Sequence, residues 1–252
     1  MKHVNKILNK EAKQRIVFLN PMGVTSLYWL QHLKIQQYFE DHELVFVDYP
    51  GYAPVQYYPV DSLESLAKTI SGEVQQLPEK PTMVIGFSYG GNVAIYLSTF
   101  MNIDKLIVIG TTPFTRKDES RGYEFMEQTL EEKGLFDFSK ALIDYCYNSS
   151  EKATNPFLHL TLYSSLKLKV NPKGLAQQLY HLKTNVVENP AKKKTIPLVI
   201  KGRDDATTTD DFLDRYDTLF NDIVYQEYSD TGHFVLDFQP DAMNLIKTYI
   251  NQ

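Results

Sequence analysis

The chain has 252 residues, 43% hydrophobic and 23% charged, with a net charge of −5. That length suits one large domain or a domain with an insertion, and the acidic balance argues against a nucleic-acid surface. A lone cysteine, Cys146, excludes an internal disulfide or a thiolate metal cluster, and no apolar stretch approaches the ~18 residues of a membrane span.

The polar start, Met1-Lys2-His3-Val4-Asn5-Lys6, lacks the apolar core of a secretory signal, so a cytoplasmic location is expected. Val4 to Leu8 leaves room for one short edge strand. Ile16-Val17-Phe18-Leu19 is the first continuous apolar run, and a helix is expected from Ser26 to Phe39, capped by Thr25 or Ser26. Leu44-Val45-Phe46-Val47 is the next strand, followed by a helix from Leu63 to Leu77 with Asp61 or Ser62 as its cap. Met83-Val84-Ile85, a helix from Tyr89 to Phe100, and Leu106-Ile107-Val108-Ile109 continue the alternation. After Leu198-Val199-Ile200 come a helix near Thr209 to Phe220, a strand near Ile223 to Tyr228, and a helix from Pro240 to Ile250, where proline suits the first turn.

These runs are continuous rather than alternating, as expected of strands covered on both faces. The fold class is therefore α/β, a mostly parallel sheet with helices on both faces. Residues 113–190 break the rhythm. Apolar residues there fall at helical spacings: Tyr123, Phe125, Met126, Leu130; Phe138, Leu142, Tyr145; Phe157, Leu160, Tyr163, Leu166; Leu175, Leu179, Leu182. That predicts a helical insertion, too long for a connection, in a core of residues 1–112 and 191–252. Cys146 falls in one of these stretches and reads as a packed thiol, and Lys192-Lys193-Lys194 as a solvated loop.

The chemistry concentrates at Gly86-Phe87-Ser88-Tyr89-Gly90-Gly91, a G-x-S-x-G between a strand and a helix. With 13 serines and 12 glycines in 252 residues, chance supplies roughly 0.03 such patterns. The sharp turn needs residues without bulk on both sides of Ser88, and it aims the Tyr89 amide, at a helix N-terminus, toward a developing oxyanion. Four further segments stand where strands end: Asn20-Pro21-Met22-Gly23, Asp48-Tyr49-Pro50-Gly51-Tyr52, Lys201-Gly202-Arg203-Asp204-Asp205 and Ser229-Asp230-Thr231-Gly232-His233-Phe234.

Over nearly its whole length the chain resembles the α/β-hydrolase superfamily, in its elbow, its chain order and its spacing. The resemblance implies Ser88 as nucleophile, His233 as base and Asp205, three residues after Gly202, as the acid that orients it; Asp204 is the adjacent competitor. The other histidines suit the base less: His3 in the tail, His32 and His42 on or beside a polar helix, His159 and His181 in the insertion. Most relatives have His-Gly where this chain has Asn20-Pro21. Pro21 has no N–H, so by register the oxyanion donors are the backbone amides of Met22 and Tyr89. The Asp48–Tyr52 turn is expected to shape a pocket wall without chemistry.

The resemblance thus implies a serine hydrolase with a helical cap, acting on a small-to-medium carboxylic ester or thioester through an acyl-enzyme. No cofactor or metal is expected: there is no His-x-x-x-His pair and no H-E-x-x-H. The Phe, Tyr and Leu of the insertion suit an apolar acyl or alcohol group. The expected partner is a small-molecule ester, with no nucleic acid and no membrane span; the oligomeric state stays open. Two other classes stay open as well, acyl transfer or lyase- or peroxidase-like chemistry on the same residues, and a non-catalytic ligand receptor.

Overall fold

The computed structural model describes residues 3–116, 121–186 and 192–252. Seven strands form one sheet: β1 (Val4–Leu8), β2 (Gln14–Leu19), β3 (His42–Val47), β4 (Thr82–Phe87), β5 (Lys105–Ile109), β6 (Pro197–Gly202) and β7 (Val224–Tyr228), in the order β1-β3-β2-β4-β5-β6-β7. Only β1 runs antiparallel, as an edge against β3. The parallel registers pair Leu19 with Gly86 and Phe87 with Ile109, so the loops after β2, β4, β5 and β6 gather at one edge of the sheet. In an open α/β sheet that edge is where ligands bind.

Each interior strand feeds two cores because side chains alternate across a sheet. Val17, Leu19, Val45, Val47, Val84 and Val108 point to one face, covered by α1 (Leu63–Gln75), α2 (Tyr89–Phe100) and α7 (Phe212–Leu219). Ile16, Phe18, Phe46, Ile85, Ile107 and Ile200 point to the other, covered by α8 (Val235–Phe238), α9 (Pro240–Ile250) and the segment around Trp29. α1 forms because Leu63, Leu66, Ala67, Ile70 and Val74 share one face, and Ser62 caps it by accepting the Ser65 amide at 3.1 Å.

The single helix expected from Ser26 to Phe39 is absent. A π-type turn, Tyr28–His32, and a 3-10 turn, Ile35–Gln37, replace it, broken at Lys34 with φ 51°. Tyr28, Trp29, Leu30, Ile35 and Phe39 are all buried, and a regular helix cannot bring that set to one face. Neither Thr25 nor Ser26 caps a helix there; Ser26 turns its amide and hydroxyl to Asp48, at 2.7 and 2.8 Å. His42 begins β3 rather than flanking a helix, and His3 is buried against Glu73 at 2.9 Å rather than lying free in a tail. The four-residue α8 is too short to show a periodicity in the sequence.

Between β5 and β6 lie α3 (Arg121–Cys146), α4 (Ser149–Thr154), α5 (Leu158–Lys169) and α6 (Pro172–Thr184). α3 is interrupted at Gly134, whose φ of 80° leaves the helical region. Met126, Leu130, Phe138, Leu142, Leu175 and Leu179 join these helices to the first core. The predicted end of the insertion, Pro190, lies outside the described residues. Among the described residues no helix is long and apolar enough to cross a membrane.

Candidate active site

β4 ends at Phe87 and α2 begins at Tyr89, so Ser88 alone makes the turn, at φ 54° and ψ −119°. A non-glycine residue in this region costs about 1–3 kcal/mol and persists only where its surroundings enforce it. Here the Ser88 amide donates to Ile109 O at 2.8 Å and Thr111 Oγ1 donates to Ser88 O at 3.0 Å. The flanking glycines are dictated by crowding. A Cβ on Gly86 would stand 2.4 Å from Gly90 O, and one on Gly90 would stand 2.3 Å from Leu19 O.

The first amides of a helix have no intrahelical acceptor, which leaves the Tyr89 N–H available at the head of α2. The Tyr89 phenol is anchored in the core, its hydroxyl 2.8 Å from His181 Nδ1. His181 Nε2 lies 2.7 Å from Val60 O, and a carbonyl only accepts. Nε2 therefore carries the proton and Nδ1 accepts from Tyr89.

The loop after β2 is fixed by Asn20, where the resemblance would put a histidine. Its Nδ2 donates to Val47 O and to Asp48 Oδ1, both at 2.8 Å, and its carbonyl accepts from Tyr49 Oη at 3.0 Å. The Gly23 amide donates to Tyr52 Oη at 3.1 Å. The Asp48–Tyr52 turn thus does not form the expected wall of the cleft; it braces the Asn20–Gly23 loop from behind, with no member on the lining. Met22, between the braced residues, does line the cleft.

His233 follows β7. Its Nδ1 lies 2.9 Å from Asp205 Oδ2, and a carboxylate oxygen fixes the ring proton at Nδ1 and leaves Nε2 an acceptor. Burial would push the Asp205 carboxyl up; the charge and hydrogen bond of His233, with two bonds from Thr207, outweigh it and hold the group below its ordinary value. Asp204 instead points outward and accepts from Asn148 Nδ2 at 3.2 Å.

Two residues that the sequence did not single out complete the arrangement. Thr207 Oγ1 lies 2.7 Å from Asp205 Oδ1 and 2.8 Å from His233 Nδ1, bridging the pair. Gly110, at φ 52°, lets the ring approach the backbone after β5 closely; a Cβ there would be 3.0 Å from His233 Nδ1. A glycine directly after an apolar strand is the one signal the sequence offers for it.

Ser88, His233, Met22 and Tyr89 border one cavity of about 510 Å³. Ser88 Oγ and His233 are not hydrogen-bonded to each other, an arrangement common where such bonds tighten only around substrate. The insertion supplies much of the remaining lining, including Leu142, Leu162 and Tyr145, whereas Phe125 lies outside it and is 57% exposed. Cys146 also borders the cavity; burial pushes its thiol well above the ordinary range, consistent with packing.

A strained strand-to-helix serine beside an Asp–His pair on a parallel sheet defines a class, and comparison with known proteins names it. The profile of the alpha/beta hydrolase family matches residues 16–244, and the chain belongs to that family. Among characterised proteins it is similar to a pimeloyl-[acyl-carrier protein] methyl ester esterase of Proteus mirabilis, 32% identical over 106 residues. That match spans 41% of this chain and 38% of the relative, well under half of either. Among solved structures, an esterase from Exiguobacterium antarcticum superposes with a TM-score of 0.77 at 18% identity, covering 98% of this chain and 94% of the other. An enol-lactonase from Burkholderia xenovorans LB400 superposes with a TM-score of 0.81 at 16% identity, covering 96% and 92%. At such identities the superpositions speak for the fold.

Proposed function

We propose that the protein is a serine hydrolase cleaving small-to-medium carboxylic esters or thioesters through an acyl-enzyme. The observation that carries this is the buried Asp205–His233 pair, whose histidine lines the cavity that Ser88 also borders. Ser88 Oγ attacks the acyl carbonyl and passes its proton to His233 Nε2. Asp205 holds the Nδ1 proton and stabilises the charged ring, while the Met22 and Tyr89 amides receive the oxyanion. His233 returns the proton to the departing alcohol or thiol. Water, deprotonated by the same nitrogen, then releases the acid from Ser88. These steps call on no cofactor.

The class of bond is supported by the ester-cleaving relative and by an esterase of the same fold. We read residues 113–190 as a cap over the cavity, because Leu142, Leu162 and Tyr145 border it. The test is intact-mass labelling with a fluorophosphonate, followed by an ester panel of varied acyl length. One adduct, on Ser88, and turnover of esters are expected; an adduct on another serine, or turnover unchanged in Ser88→Ala, would overturn the proposal.

A further inference from the structure

The loop that carries His233 is held in part from outside the core. The Gly232 amide donates to Glu151 Oε1 at 2.8 Å, and the His233 amide donates to Cys146 O at 2.9 Å. Both acceptors come from the insertion, Cys146 from the end of α3 and Glu151 from the first turn of α4. Nothing larger than glycine fits the junction: a Cβ on residue 232 would lie 2.5 Å from Glu151 Oε2 and 2.9 Å from Cys146 O. Beside it, Tyr147 stacks on Phe234 with ring centroids 4.9 Å apart. Asn148 reaches Asp204, so the α3–α4 corner touches the loops after both β6 and β7.

Glu151 is 3% exposed, and its two oxygens do different things. Oε2 accepts the Asn148 amide at 2.9 Å, which completes the capping box of α4. That local task needs one oxygen. The other crosses to a residue 81 positions away, adjacent to His233. An amide-to-carboxylate bond in a buried site is among the stronger hydrogen bonds, and its loss leaves the Gly232 N–H without its partner.

We propose that Glu151 is a positioning residue for the base: α4 holds its carboxylate, the carboxylate fixes the Gly232 amide, and that fixes the imidazole against Ser88. The proposal rests on His233 being the base. It gives this corner of the insertion a task separate from substrate selection, since neither Glu151 nor Gly232 lines the cavity.

The experiment compares Glu151→Gln and Glu151→Ala with Glu127→Ala, which breaks an ion pair elsewhere in the insertion, that with Lys183. Turnover is expressed per active site, counted from the end point of fluorophosphonate labelling, so that misfolded protein does not enter the rate. In Glu151→Ala kcat should fall on the order of 10²-fold with KM within about twofold, the signature of a misplaced reacting group. Glu151→Gln keeps the shape and one acceptor and should lose about tenfold, so activity ranks Glu, Gln, Ala. Glu127→Ala should melt earlier and keep its kcat. A wild-type kcat in Glu151→Gln, or a KM rising in step with the fall in kcat, overturns the proposal, and the glutamine variant decides should the alanine variant not fold. Retained turnover in His233→Ala would remove the base assignment itself; loss there beside unchanged Glu151 variants would remove the Glu151 assignment alone.

Discussion

Asp204 and Asp205 are adjacent carboxylates with opposite surroundings. Asp205 is buried, bonded to His233 and to Thr207, while Asp204 looks outward to Asn148. Asp205→Asn should therefore cost about 10⁴-fold in kcat, because an amide no longer enforces the right imidazole tautomer. Asp204→Asn should change kcat by no more than a few-fold. A steady-state comparison of the two decides it; a crippled Asp204 variant would place the acid one residue earlier. Ser88→Ala should lower turnover by roughly 10³-fold or more while leaving the melting midpoint unlowered, since the change removes only a hydroxyl that borders the cavity at a crowded turn. The resemblance points to Asp205 by its distance to Gly202, a spacing that lies within one loop. Thr207, Gly110 and Glu151 could not be ranked the same way. They meet His233 or Gly232 only once the separate segments have assembled on the sheet, and nothing local marks a threonine, a glycine or a glutamate for such contacts.

At the scale of elements, legibility followed burial. Strands covered on both faces need unbroken apolar runs, and each run expected in the core is a strand within a residue or two of its position. The Ser26–Phe39 segment failed because its apolar residues answer to an irregular surface on the sheet, and not to a period of 3.6. The insertion showed its helices but not which faces they turn to the cavity. Phe125, an obvious candidate for substrate contact by size, is exposed, while Leu142 and Leu162 lie against Gly23 of the loop after β2, at 3.6 and 4.0 Å from where its Cβ would be. Leu142→Ala and Leu162→Ala should thus shift kcat/KM toward longer acyl chains by about tenfold across an ester series, the worth of one or two methylenes in an apolar pocket. Phe125→Ala should leave the profile unmoved. A uniform loss for both leucine variants at every chain length would mean they only hold the insertion together.

At the scale of the whole molecule, three separate stretches of chain are tied at one buried carboxylate. Asp48 Oδ1 accepts from the Ser26 amide and Asn20 Nδ2, and Oδ2 accepts from Ser26 Oγ and from Asn5 of β1. Burial raises its pKa from 3.8 to about 6, with the Ser26 and Asn20 bonds pulling only partway back. The folded state therefore binds this proton more tightly than the unfolded chain does. Stability drawn from it is fully present below the unfolded value of 3.8 and is lost as pH rises through about 6. The size of that loss is roughly 3 kcal/mol. Burial also holds His3, His42 and His181 below the ordinary histidine value, and these act in the opposite direction, favouring the fold as pH rises toward 6.5. The wild-type curve alone is then a balance of opposed groups, and a comparison isolates Asp48. Asp48→Asn preserves the shape without the titration. Whatever constant offset the amide introduces, the variant should gain on the wild type by roughly 2 kcal/mol between pH 4 and pH 7, read from urea midpoints at each pH. Parallel curves would show that Asp48 titrates normally and that its hydrogen bonds fully offset its burial. A gain in the other direction would mean that the ionised carboxylate stabilises the Asn20–Ser26 segment, placing its folded pKa below that of the unfolded chain.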